Sequence, residues 1–353
     1  MNDSLTICEF LAQTGARARF FDMGRRVTEI DTDRMLAFEA ADTPYHQPFL
    51  QAAWLGILFH YPEPDAAGEP EQHIWFLKLP LDERGHLQQA ARDGFLHQVI
   101  ETASLKKQGK LDENGHIDDN PLGFTPREDR MAVFHAKVAQ STGRPPSQYY
   151  AHARDYFGGT VGFDQWSFVG LQGIADLVTR LADDDNLARL VEAVPRLPTT
   201  PFAALCSCLE NEPLAPALCA ALATRTHAAL ADNDAAAVAA GLRGLSHPDN
   251  QAHMRDTVDT VLAHPLGRDV EVLAAIAGRA WELLEKDAPR RRFLENLAVC
   301  PAGQQAFDGI LADLMFMPRL REVLLADMRR PERSERLAEA IGAFFQSVQR
   351  PTH

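Results

Sequence analysis

Five prolines impose the strongest constraint on this chain. Pro248 and Pro265 lie 17 residues apart, as do Pro301 and Pro318; Pro213 to Pro248 spans 35 and Pro265 to Pro301 spans 36. Proline has no backbone N–H and clashes with the preceding turn, so it ends or kinks a helix. The spacing therefore leaves room for one helix every ~17 residues, paired into units of ~35, which is the sequence signature of stacked helical hairpins. Two of the breaks also resemble each other: Ser246-His247-Pro248 and Ala263-His264-Pro265.

The hydrophobic pattern between the prolines agrees with this. Ile174, Leu177, Val178 and Leu181 fall at helical spacing, as do Leu187, Leu190, Val191 and Val194. Met254, Val258, Val261 and Leu262 make a third stripe, and Leu337, Ile341, Phe344, Phe345 and Val348 a fourth. Such stripes put the apolar residues on one helical face. Thr200-Pro201 reads as an N-cap followed by proline at the first helical position. No stretch beyond residue 164 reads as a strand.

The first part of the chain reads differently. Arg17–Phe21 and Arg25–Ile30 flank Asp22-Met23-Gly24, a hairpin pattern with glycine at a positive φ. Residues 33–41 read as a helix. Residues 53–61 and 72–79 are apolar runs of strand length, expected as central strands because apolar residues occupy both faces. Helices follow over 86–107, carrying Phe95, Val99 and Leu105, and over 127–140, carrying Met131, Phe134, His135 and Val138. Loops are expected at 62–71 and 109–126, and Gly143-Arg144-Pro145-Pro146 is a breaker. The expected architecture is thus an α+β N-terminal domain with a small sheet (1–145), an aromatic joint (146–163) and an all-α, repeat-like C-terminal domain built as a helical-hairpin stack (164–353).

Charge and cysteine usage narrow the function classes. The formal net charge of −14, spread over both parts of the chain, disfavours a binder of nucleic-acid backbone. No apolar run is long enough to span a membrane, and the N-terminal residues lack the basic and apolar regions of a secretion signal. The five cysteines are odd in number and suit a reducing, cytoplasmic compartment of bacterial type. Cys206 and Cys208 fall inside a helix, spaced so that they point to different sides, so with Cys219 they are expected as core rather than as a zinc site. Residues 112–120 are rich in carboxylates but have glycine in the wrong place for a calcium loop. No metal and no cofactor are expected. Phosphate-loop, dinucleotide, nucleophile-elbow and zinc-helix motifs are absent. The Arg290-Arg291-Arg292 run and the later arginines read as a solvated helical face interleaved with acids, including an i, i+4 pair Glu332–Arg336.

The densest polar-aromatic cluster is Tyr149, Tyr150, His152, Arg154, Tyr156 and Trp166. It reads either as packing at the seam between the domains or as a recognition patch, since Tyr, Trp and Arg dominate interface hot spots. These residues are the candidate partner- or ligand-binding set, and no catalytic residue is assigned.

Three stretches carry a resemblance: 74–101 (IWFLKLPLDERGHLQQAARDGFLHQVIE), 120–138 (NPLGFTPREDRMAVFHAKV) and 165–177 (QWSFVGLQGIADL). They resemble an uncharacterised family of bacterial proteins of about this length, known mainly from gammaproteobacteria and described only as a domain of unknown function. The resemblance implies a cytoplasmic bacterial protein and carries no reaction, ligand or site residue with it. The expected function is that of a protein-interaction or adaptor module, with another protein as partner and neither nucleic acid nor membrane. The alternative is an enzyme of unrecognised type with an interdomain pocket near His86, Arg154 and Tyr156.

Overall fold

A capping box starts the first helix. In the computed structural model, which describes residues 5–62, 71–107 and 120–349, the Thr6 hydroxyl accepts the Glu9 N–H and the Glu9 carboxylate accepts the Thr6 N–H. Helix α1 (Ile7–Gln13) thereby satisfies two terminal groups reciprocally. Strands β1 (Arg17–Asp22) and β2 (Thr28–Ile30), helix α2 (Thr32–Glu39), strands β3 (Ala52–His60) and β4 (Gln72–Pro80) and helix α3 (Gln89–Lys107) complete this part. The sheet is antiparallel in the order β2-β1-β3-β4. Its core joins Ile7 and Leu11 of α1 to Phe20, Leu55, Ile57, Leu77 and Leu79 of the strands and Phe95 of α3. The expected loop at 62–71 and the carboxylate-rich stretch 112–120 fall almost wholly outside the described residues.

Two expectations for the sheet need correction. Strand β3 is central, but β4 is an edge strand, with only Leu77 and Leu79 buried. Its apolar character comes from ring packing against a helix: Trp75 meets Phe95 of α3 edge-on at 5.3 Å. Gly24 does not have a positive φ. Its place is close-packed instead, since a Cβ there would lie 3.2 Å from Cβ of Phe49, tight enough that the neighbour would have to shift.

From Arg127 onward the described residues form helices and turns only. The helices are α4 (Glu128–Ser141), α5 (Tyr150–Phe157), α6 (Leu171–Thr179), α7 (Asn186–Ala193), α8 (Thr199–Leu209) and α9 (Pro216–Ala231). They continue as α10 (Ala235–Gly244), α11 (Gln251–Ala263), α12 (Val270–Arg279), α13 (Asp287–Ala298), α14 (Gly303–Met315), α15 (Arg321–Met328) and α16 (Glu335–Gln349). Contacts divide the chain into Met1–Pro126 with Phe316–Pro318, and Arg127–Met315 with Arg319–His353. Helix α4, grouped with the sheet in the sequence reading, belongs by contact to the helical unit. Its apolar stripe packs on α6 and α8. Phe134 and Val138 are buried there, while His135 is exposed.

Within the helical unit, packing between helices two apart recurs along the chain. Helices α4, α6, α8, α10, α12 and α14 form one layer, and α5, α7, α9, α11 and α13 another. Side-chain hydrogen bonds recur at a matching sequence separation. Asn186 Nδ2 donates to Tyr150 Oη across 36 residues, Thr199 Oγ1 to Asp234 Oδ2 across 35, Asn296 Nδ2 to Leu262 O across 34 and Gln304 Nε2 to Ala340 O across 36.

The five prolines lie between helices. Pro248 and Pro265 each open a 3-10 turn, and in both the preceding histidine caps it: His247 Nδ1 accepts the Asp249 N–H at 3.3 Å and His264 Nδ1 the Leu266 N–H at 3.2 Å. The two look-alike breaks are one capping device used twice. Helix α8 begins at Thr199 after Pro198, so Pro201 stands in the first turn rather than at its head. That turn has amides without intrahelical acceptors, so the missing N–H costs nothing there.

The five cysteines are buried and free. Burial pushes the Cys208 thiol up to about 12, and Cys206 packs so closely on α10 that a Cβ on Gly244 would sit 2.9 Å from its Sγ. The arginine run is not a uniformly solvated face. Arg290 is buried, donating through Nε to Asp327 at 2.5 Å and through Nη1 to the Leu284 and Glu285 carbonyls. Arg336 pairs with Glu339, three residues on, and not with Glu332.

Candidate functional site

The candidate cluster lies within the helical unit, on α5 and the 3-10 turn Phe163–Phe168 that follows it. After the Pro145-Pro146 break the chain is clamped onto α6. The Ser147 N–H donates to Asp176 Oδ2 at 3.0 Å, and the Tyr149 carbonyl approaches Gly173 so closely that a Cβ would lie 2.5 Å from it. Only glycine admits that contact. Tyr149 is therefore held at the head of α5 by its backbone, while its side chain is left outside, 51% exposed.

The six candidates separate into three roles. Tyr156 is core: fully buried, it donates its hydroxyl to the Phe163 carbonyl at 3.0 Å and packs edge-on against Phe157 and Phe163. Burial, helped by the Asp164 carboxylate, pushes its hydroxyl up to about 12. Tyr150 and Arg154 are ties to neighbouring segments. The Tyr150 hydroxyl accepts from Asn186, the Arg154 guanidinium lies 5.7 Å from the Tyr150 ring centre, and Arg154 also pairs with Asp184 at 3.1 Å and Asp185 at 3.2 Å. Tyr149, His152 and Trp166 face outward.

Phe168, which the sequence reading missed, is the most exposed large apolar residue described, at 71% against 40% for Trp166. The turn that carries both has no buried residue. A signal was available: Phe168 precedes the first helical stripe, which begins at Ile174, and lies between Gly162 and Gly170, so no apolar face claims it. Tyr149 and Phe168 both adjoin the start of α6, the first through Gly173 and the second two residues before the Gly170 cap. Aromatic side chains on clamped backbone have the chemistry of recognition. They supply large contact area at low entropic cost.

Among the described residues, the candidates for acid–base chemistry are not brought together in this way. His86 sits 3.8 Å from Asp82 in the sheet unit, while the Tyr156 hydroxyl and the two Nη groups of Arg154 have the partners described, and Arg154 Nε is buried without one. A groove of about 750 Å³ runs along β4 and α3, walled by rings such as Phe59, Trp75 and Phe95, and its described lining includes no Asp, Glu, Lys or Arg.

A second cluster was invisible in the sequence. Arg130 of α4 donates to Glu210 Oε1 at 2.7 Å and to Asn211 Oδ1 at 3.2 Å, across 80 and 81 residues. Arg279, at the end of α12, donates to Glu210 Oε2 at 2.8 Å across 69 residues. Arg130, Glu210 and Asn211 are buried. Each oxygen of the carboxylate is thus met by one guanidinium, the condition under which a buried charge is tolerated.

A family model described as "Protein of unknown function (DUF3549)" matches residues 3–345. No curated protein and no solved structure matches the chain.

Proposed function

The chain belongs to this family of unknown function, and from that premise we propose that its helical unit is a protein-binding module of α-solenoid type, working in the bacterial cytoplasm. Tyr149, Trp166 and Phe168 form its contact surface, with His152 and Arg154 beside them. The observation that carries this reading is the exposure of Trp166 and Phe168 together on one short turn. Single exposed apolar residues are ordinary on a protein surface, whereas grouped large aromatics mark interaction sites. Two further features support it. The helices stack in the order expected of solenoids, which bind partners along extended surfaces, and the free cysteines suit a reducing compartment. No helix among the described residues is long and apolar enough to cross a membrane.

The test is a photo-crosslinking amino acid placed at position 168 in cells, followed by affinity measurement with the captured protein. Trp166→Ala with Phe168→Ala is expected to weaken binding by about tenfold or more, with the melting temperature unchanged. Binding that survives both substitutions, or the absence of any discrete crosslink, would refute the assignment.

A further inference from the structure

We propose that the cavity between α2 and residues 43–46 of the sheet unit binds a small organic monocarboxylate with a compact apolar body. The cavity has a volume of about 230 Å³; an apolar cavity of ~150 Å³ takes one benzene ring, so a single ring with its carboxylate fits. Its floor is Ile30, Met35, Phe38 and Tyr45, all buried. The Phe38 and Tyr45 rings meet at 5.0 Å, tilted by 56°.

Tyr45 is locked in place. Its hydroxyl donates to Asp22, which does not line the cavity, and its N–H donates to the Gly85 carbonyl at 2.8 Å. The ring, and not the hydroxyl, is what a ligand meets. That makes the floor apolar.

The polar groups stand on the rim. The His46 ring lies 5.1 Å from that of Tyr45, and burial together with the nearby Arg34 charge lowers its pKa to about 4. A neutral imidazole there retains one donor and one acceptor. Arg34 is exposed at the mouth, near enough to act electrostatically on both His46 and Tyr45, and makes no ion pair among the described residues. The buried arginines Arg25, Arg92, Arg130 and Arg290, by contrast, donate to protein acceptors. An unneutralised guanidinium above an apolar floor recognises an anion attached to a hydrocarbon; the planar fork suits a carboxylate. A bare phosphate would leave the floor unused.

The test uses the full chain, labelled at histidine, with the His46 ring signals assigned by loss in His46→Gln. Benzoate, cyclohexanecarboxylate and inorganic phosphate are titrated in turn. Saturable shifts of the His46 signals are expected with both carboxylates and not with phosphate, and affinity about tenfold weaker in Arg34→Gln. Arg34 is exposed and makes no ion pair, so this variant is expected to melt like the parent. Three results would overturn the proposal: no saturable shift with either carboxylate, affinity unchanged in Arg34→Gln, or phosphate acting as well as the carboxylates.

Discussion

The sheet unit and the helical unit bury polar groups in different ways. In the sheet unit a buried acid serves its immediate surroundings. Glu39, at the end of α2, accepts the Ile7 and Cys8 N–H groups at the head of α1 at 2.7 and 3.0 Å, plugging a helix end that enters one common core. In the helical unit several side-chain bonds, some buried and some half-buried, tie helices far apart in the chain, at separations near 36 residues or about twice that. A core that draws on every element fails as a whole. If the helical unit is the solenoid proposed, a stack held by neighbour-to-neighbour terms distributes its stability, and the Glu210 ion pairs couple its distant levels.

The sharpest way to break this contrast is Glu210→Ala. It leaves Arg130 buried without its carboxylate and is expected to cost about 3–5 kcal/mol in urea unfolding of the full chain. A cost below about 1 kcal/mol would mean that the ion pairs do not couple the levels. Glu39→Ala tests the other side. Two amides at the head of α1 lose their acceptor, for an expected loss of about 2 kcal/mol. The pH dependence carries a sign of its own. Burial pushes the Glu39 carboxyl above its usual range despite the two N–H bonds. Stability from its retained proton is complete below the unfolded value and is lost as pH rises through the raised folded one. Glu39→Gln is expected to abolish that loss, visible above about pH 4 as a divergence of the two stability profiles.

Asp234 gives a smaller effect with the opposite sign. It caps α10 through the Ala237 N–H and accepts the Thr199 hydroxyl. The backbone bond, then the hydroxyl, hold its carboxyl below the usual range. Its contribution is present above the unfolded value and lost as pH falls through the folded one. Asp234→Ala is expected to cost about 1 kcal/mol, and Asp234→Asn to flatten the acid side of the thermal-melt profile. The smallest stability effect is expected at the proposed contact surface: Trp166→Ala and Phe168→Ala should each stay within about 0.5 kcal/mol. A loss of several kcal/mol at Trp166 would make it a packing residue and remove it from the contact surface.

What could be read from sequence follows from the range of the interactions involved. Proline breaks and helical stripes act over a few residues, so the succession of helices was legible, although exact starts were not: Pro201 stands in the first turn of α8 and not at its head. The β4 edge position was not, because an edge strand packed on α3 through Trp75 has the same composition as a central one. Tyr149, His152 and Trp166 were found at the surface because aromatic density is visible locally, but the same density drew in Tyr156, whose burial depends on Phe163 and on how α5 packs. Arg130, Glu210 and Arg279 look like three ordinary surface charges until the helices are stacked.

The Glu210 cluster also counts. A stack of ~35-residue units can in principle lengthen or shorten by whole units without losing its local packing. Arg130 and Arg279 must nevertheless meet the same carboxylate from opposite sides along the chain, 80 residues before it and 69 after. One duplicated or deleted unit between them would separate the charges and leave at least one buried alone.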